Sequence, residues 1–367
     1  MIIKNGLVFK ETGEFVREDL YLENNRIVAK KEEVMDLEVL DAKGTYVVPG
    51  LIDVHSHGAV GSDFSDGDVE GLRRILTYQK RQGITSYCPT SMTLEKDALM
   101  HIFATVAQMR QAPDEARIVG INMEGPFLDP AKKGAHVEKY IIDPDVEFFR
   151  ECNQQSGGKI KLVTLAPNMP GGKDFIATLK GEVTIAIGHT GADYDCTLKA
   201  LKAGAHHITH LYNAMPFLSH RAPGVIGAAF DAPDTMVELI CDGYHIHPSV
   251  IRSTFCSFGA ERVVLISDSM RATGMDDGCY ELGGQKVQVE NKKATLADGI
   301  LAGSATNLFD CMRKAIAFGI PMADALFAAT RNPAKSIGIY EETGSLTPGK
   351  RGDVLLLDQD MKLLKVV

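Results

Sequence analysis

Residues 47–57 read VVPGLIDVHSH. The Val47-Val48-Pro49-Gly50 turn signal opens a short apolar run, and the run ends on two histidines one residue apart, His55 and His57. From this point the chain alternates β-like and helical patterns. Strand-like segments follow at ITSYCP (84–89), RIVGINME (117–124), KLVTLAP (161–167), VTIAIGH (183–189), AHHITHL (205–211), MVELICD (236–242) and RVVLISD (262–268). Between or after them the spacing predicts helices over 68–82, 94–109, 193–203, a segment after Pro248, 306–318 and 322–330. Eight apolar strands, each short and without strict alternation, imply parallel pairing with both faces covered. An open doubly wound sheet usually has fewer strands and a Gly-rich phosphate turn after the first. No G-x-G-x-x-G follows a strand here, so the pattern favours an α/β (β/α)8 TIM-like barrel over residues 48–341.

Outward from the barrel, residues 1–47 give short alternating strands with turns at Asn5-Gly6, Asn24-Asn25 and Lys43-Gly44. The tail GSLTPGKRGDVLLLD (344–358) returns to strand character, so 1–47 and 342–367 are expected to form one small discontinuous β-sandwich domain. Residues 278–302 interrupt the barrel with a turn-rich β-hairpin insertion.

The 367 residues carry 39 Lys and Arg against 48 Asp and Glu, a net charge of −9, which offers no basic footprint for nucleic acid or an anionic membrane. The composition, 45% hydrophobic and 24% charged, is that of a folded globular chain. Neither a signal peptide nor an apolar run long enough for a membrane span is read. Seven scattered cysteines without a C-x-x-C pair read as reduced thiols of a cytoplasmic protein, with Cys88 and Cys241 as core residues.

Polar residues recur at the strands' C-terminal ends: His55 and His57 after PGLIDV, Glu124 after VGINM, His189 after TIAIG, His210 after HHIT and Asp268 after VLIS. In a parallel barrel these ends form the functional face, so six metal-capable side chains are expected to converge on one mouth. The H-x-H pair suits a metal because alternate strand residues point the same way. A single histidine would more often be structural; His206, His207 and His101 are read that way, and it is the coincidence of six strand ends that favours a metal site.

VVPGLIDVHSH with the strand-end residues and the C-terminal tail resembles the amidohydrolase superfamily of metal-dependent barrels. NMEGPFLDPAKKGAH (122–136), LAPN (165–168), GHTGADYD (188–195), THLYNAM (209–215), CDGYHIHP (241–248) and SDSM (267–270) resemble, more narrowly, its N-acetylglucosamine-6-phosphate deacetylase family. Many superfamily members bridge two metals with a modified lysine on strand four; here that strand ends Leu165-Ala166-Pro167, and the bridging role falls to Glu124 as in the deacetylases. The resemblance implies a principal ion on Glu124, His189 and His210 and a second on His55 and His57, with Glu124 shared and Asp268 nearby. The cofactor is then one or two divalent ions, zinc or iron first among the first-row candidates. Asp268 would act as general base and acid. His136 would contact the substrate and polarise its carbonyl, Asn213 and Ala214 would touch the ligand, and Arg221 and His245 would take the phosphate of an amino-sugar phosphate, in part across a homodimer interface. The activity implied is hydrolysis of the acetamide of N-acetylglucosamine 6-phosphate to glucosamine 6-phosphate and acetate. The galactosamine epimer as substrate, a cyclic-amide hydrolase, and a catalytically silent barrel acting as an assembly partner are the alternatives.

Overall fold

The computed structural model describes residues 1–35 and 38–367. Eight parallel strands run β1 (Leu51–Ser56), β2 (Ile84–Ser91), β3 (Ile121–Glu124), β4 (Ile160–Leu165), β5 (Thr184–Ile187), β6 (His207–Ile208), β7 (Met236–Ile240) and β8 (Val263–Ile266), each hydrogen-bonded to the next. Between β8 and β1 the ring closes where the Asp268 N–H donates to the His55 carbonyl at 2.9 Å and the Ser267 hydroxyl donates to Asp53 at 2.6 Å. Helices α1 (Val69–Arg81), α2 (Lys96–Gln108), α3 (Val146–Gln155), α4 (Gly172–Leu179), α5 (Tyr194–Ala203), α6 (Gly224–Phe230), α7 (Pro248–Phe258) and α8 (Leu308–Ala317) follow the strands in turn. The fold is a (β/α)8 TIM-like barrel.

Local chemistry explains where the helices start. Asp68 accepts from the Glu70 and Gly71 N–H groups, Asp193 from Cys196 and Asn307 from Asp310, each satisfying a donor the first helical turn leaves open. Residue alternation then sorts the strands' side chains. In β3, Ile121 and Met123 join the apolar layer shared with the helices, as do Val237 and Leu239 in β7 and Val263 and Leu265 in β8. The residues between them are polar in places: Asn122, Glu124, Glu238 and Ser267 are all buried. The segment read as one strand over 117–124 is broken at Val119-Gly120. Arg117–Ile118 pairs with β2 at Ser86 and Tyr87, while β3 itself pairs farther along β2 at Thr90 and Ser91.

Strands Ile2–Phe9, Phe15–Glu23, Arg26–Val28, Val39–Asp41 and Tyr46–Pro49 share one sheet with Val354–Leu357 and Leu363–Val366. Its two faces do different work. Val47, Val354 and Leu356 pack into the sheet's own cluster with Ile3, Val8, Leu20 and Ile27, whereas Val48, Leu355 and Leu357 belong to the barrel's layer. Strands Gly278–Leu282, Gln285–Glu290 and Lys293–Thr295 form an antiparallel meander whose Leu282, Val287 and Val289 pack with Met92, Ala135 and Met270 beside the barrel mouth. Cys88 and Cys241 are buried, and every cysteine is a free thiol. No helix among the described residues is long and apolar enough to cross a membrane.

Candidate active site

Five strands deliver the site. His55 is the next-to-last residue of β1 and His57 comes just after the strand; Glu124 is the last residue of β3; His189, His210 and Asp268 each sit two residues past the end of β5, β6 and β8. Those last three have left-handed backbone, with φ of 45°, 27° and 47°, a region most residues avoid and one that clusters at functional sites.

Glu124 is the hub. Its Oε1 lies 3.2 Å from His189 Nε2 and 3.1 Å from His210 Nε2, and the two imidazole nitrogens are 3.0 Å apart. Its Oε2 faces His57 Nε2 at 3.2 Å, His55 Nε2 at 3.4 Å and His136 Nε2 at 3.4 Å. Asp268 Oδ1 stands 3.3 Å from His57 Nε2 and 3.7 Å from His55 Nε2. All six residues read from the strand ends are buried here.

This donor set fits a metal ion. Bonds of about 2.0–2.1 Å from a first-row ion separate neighbouring ligand atoms of a tetrahedron by about 3.3 Å, close to the triangle formed by Glu124, His189 and His210. The outer ring nitrogens fix the proton positions. His189 Nδ1 donates to the Lys132 carbonyl at 2.9 Å and His57 Nδ1 to the Thr90 carbonyl at 3.2 Å, which turns both Nε2 atoms inward as the positions open to an ion. His55 Nε2 is buried and makes no hydrogen bond. The groups His55–His57–Glu124 and Glu124–His136–His189 each bring three possible ligand atoms together.

His136 differs from the other imidazoles. Its Nδ1 accepts the Thr93 N–H at 3.1 Å, so the ring proton sits on Nε2 and points into the site as a donor. Burial pushes its pKa down to about 4, keeping that ring neutral at physiological pH. It is thus disposed to bond an oxygen and not an ion.

The electrostatics favour cations. Burial works against charge on His57, but the hydrogen bonds to Asp268 and Glu124 outweigh it and hold its pKa up to about 10. A proton and a metal ion compete for these nitrogens. Burial likewise pushes the Asp268 carboxyl up, and the His57 hydrogen bond with the fields of His55 and His57 brings it below the usual range.

The mouth opens into a cavity of about 600 Å³ lined by His136, Asn213, Ala214, His245, Phe217 and Ile300, with Glu124 and Asp268 at its floor. Asn213 turns its amide back to the His210 and Leu211 carbonyls. His245 Nδ1 donates to Asp242 at 2.7 Å; burial opposes its charge, yet that carboxylate prevails and raises its pKa. Arg221 stands apart. It is exposed, outside the cavity lining, on the loop that carries Phe217, itself 88% exposed.

One buried group is absent from the strand-end pattern. Glu238, in the middle of β7, contacts His55, His207 and the His210 backbone. The signal available was a lone carboxylate inside the apolar run MVELIC.

Comparison with known proteins identifies the family. A family model described as the amidohydrolase family matches residues 46–367. The chain is 36% identical to N-acetylglucosamine-6-phosphate deacetylase of Bacillus subtilis over 100% of this chain and 92% of that one. It is 33% identical to N-acetylgalactosamine-6-phosphate deacetylase of Escherichia coli O157:H7 over 91% and 89%. Among solved structures, the N-acetyl-D-glucosamine-6-phosphate deacetylase of Mycobacterium smegmatis, a mutant in complex with N-acetyl-D-glucosamine-6-phosphate, superimposes with a TM-score of 0.92 at 32% identity, covering 100% of this chain and 97% of that one. A shared barrel, a carboxylate between two pairs of histidines and near-complete alignment lead to one statement: the chain belongs to the amidohydrolase family.

Proposed function

We propose that the chain hydrolyses the acetamide of N-acetyl-D-glucosamine 6-phosphate, giving glucosamine 6-phosphate and acetate in amino-sugar catabolism. The carrying observation is Glu124, whose two carboxylate oxygens face His189/His210 and His55/His57 within 3.4 Å, with Asp268 beside them.

Glu124, His189 and His210 would hold the principal divalent ion, and His55 and His57 with Glu124 a second; zinc or iron there supplies Lewis-acid polarisation and a nucleophile at neutral pH. Asp268, kept ionised by its neighbours, accepts the proton of the attacking water and returns it to the departing amine nitrogen. The His136 Nε2–H donates to the amide oxygen as negative charge develops on it. Asn213 and Ala214 contact the sugar, and the His245 imidazole, whose proton the Asp242 carboxylate favours, receives the phosphate. Arg221 completes the phosphate site from the neighbouring subunit of a homodimer, which accounts for its distance from the cavity of its own chain. The enzyme works in the cytoplasm on this small substrate, without nucleic acid or membrane.

Acetate release, measured on both N-acetylhexosamine 6-phosphates and their unphosphorylated forms, tests this. The fastest turnover is expected on the glucosamine derivative, with Arg221→Ala losing about 30-fold or more in kcat/KM on the phosphorylated sugar alone. A preference for the galactosamine derivative would select the second reading, which the 33% identical relative favours. No acetate from either phosphate with metal supplied overturns both. Mixing Arg221→Ala with Asp268→Asn subunits should restore activity; failure to do so places Arg221 within its own subunit.

A further inference from the structure

Glu238 lies within β7 between Val237 and Leu239 and is fully buried. A carboxylate at that depth is costly unless each oxygen is bonded. Three donors meet it. Oε2 accepts from His55 Nδ1 at 2.9 Å and from the His210 backbone N–H at 3.0 Å, and Oε1 accepts from His207 Nε2 at 3.0 Å. No lysine or arginine pairs with it among the described residues. One side chain therefore touches two of the residues that face the metal site.

A carboxylate only accepts, so His55 Nδ1 carries a proton, and Nε2, which faces Glu124 Oε2, is the nitrogen left to bind an ion. The other imidazoles lack this backing. His57 and His189 lean on neutral backbone carbonyls, and His210 Nδ1 is buried without a hydrogen-bond partner. A charged acceptor makes its imidazole the stronger donor to a metal.

We propose that Glu238 is a positioning residue that locks His55 in its Nδ1–H form and thereby sets the affinity of the ion held by His55, His57 and Glu124. The ion on His189 and His210, whose rings Glu238 does not touch, is largely independent of it. This rests on the two-ion reading above.

The test is titration of the metal-free full-length chain with cobalt(II), counting ions per chain and measuring each affinity by competition with a chromophoric chelator. The wild type should take two ions. Glu238→Gln keeps size and an acceptor but removes the charge; its tighter ion should be unchanged and the other weakened about 10- to 100-fold. His207→Gln removes the other imidazole partner of the carboxylate and should leave both affinities as they are. Wild-type affinities in Glu238→Gln, or equal weakening of both ions, would overturn the assignment, as would His207→Gln losing the same ion. If the wild type takes one ion only, the two-ion reading falls with it. Nitrogen-15 NMR of zinc-loaded wild type supplies a check independent of any variant: His55 protonated at Nε2 refutes the proposal.

Discussion

The barrel has a cavity at each end, and they differ in kind. The one at the N-terminal ends of the strands, between barrel and small sheet, is the larger at about 900 Å³ and is lined by Lys80, Arg81, Arg117, Arg351 and Asp353. Its cations share carboxylates at long range: Arg117 and Arg351 both approach Asp353 at 3.5 Å, and Arg117 also approaches Glu342 at 3.4 Å. At the smaller mouth cavity, Glu124 and Asp268 are surrounded by imidazoles alone, with no lysine or arginine pairing to them among the described residues. Size does not locate chemistry; the convergence of buried carboxylates and imidazoles does.

That contrast is most exposed to failure at Glu124. Chelation should abolish turnover and a divalent ion restore it, while Glu124→Gln should lower both metal content and turnover, the latter by about 1,000-fold or more, corresponding to several kcal/mol of transition-state stabilisation. Full activity in a sample shown metal-free by elemental analysis would erase the distinction between the cavities. Asp268→Asn comes next: kcat should drop by roughly 100-fold or more with metal content largely kept. Wild-type turnover in that variant would move proton transfer to another group, His136 being the neighbour in place. The smallest effect belongs to the other cavity. Arg351→Gln should leave kcat/KM unchanged and shift stability by less than about 1 kcal/mol in denaturant unfolding, since its ion pair is partly exposed and long.

Much of this arrangement was legible in the chain because it is encoded locally. Apolar runs ending in His or Asp mark the mouth, and capping residues such as Asp68 and Asn307 bring the helix starts to within two residues of those read from the pattern. What escaped depends on distant partners. The break at Val119-Gly120 arises from where β2 and β4 offer hydrogen bonds, which RIVGINME does not specify. The proton position on His136 is set by Thr93, 43 residues away, and the environment of Glu238 by His55, 183 residues away. Arg221 follows a loop whose outward course leaves no periodic trace in the sequence.

The left-handed backbone at His189 and His210 carries a cost of roughly 1–2 kcal/mol per residue for an ordinary side chain, and glycine would relieve much of it. Glycine would also take away a ring that faces the buried Glu124 Oε1 and leave a hole in its place, a loss of several kcal/mol that outweighs the strain. Screening for survival at high temperature should therefore keep both histidines, and the strained turns persist because the carboxylate beneath them needs company.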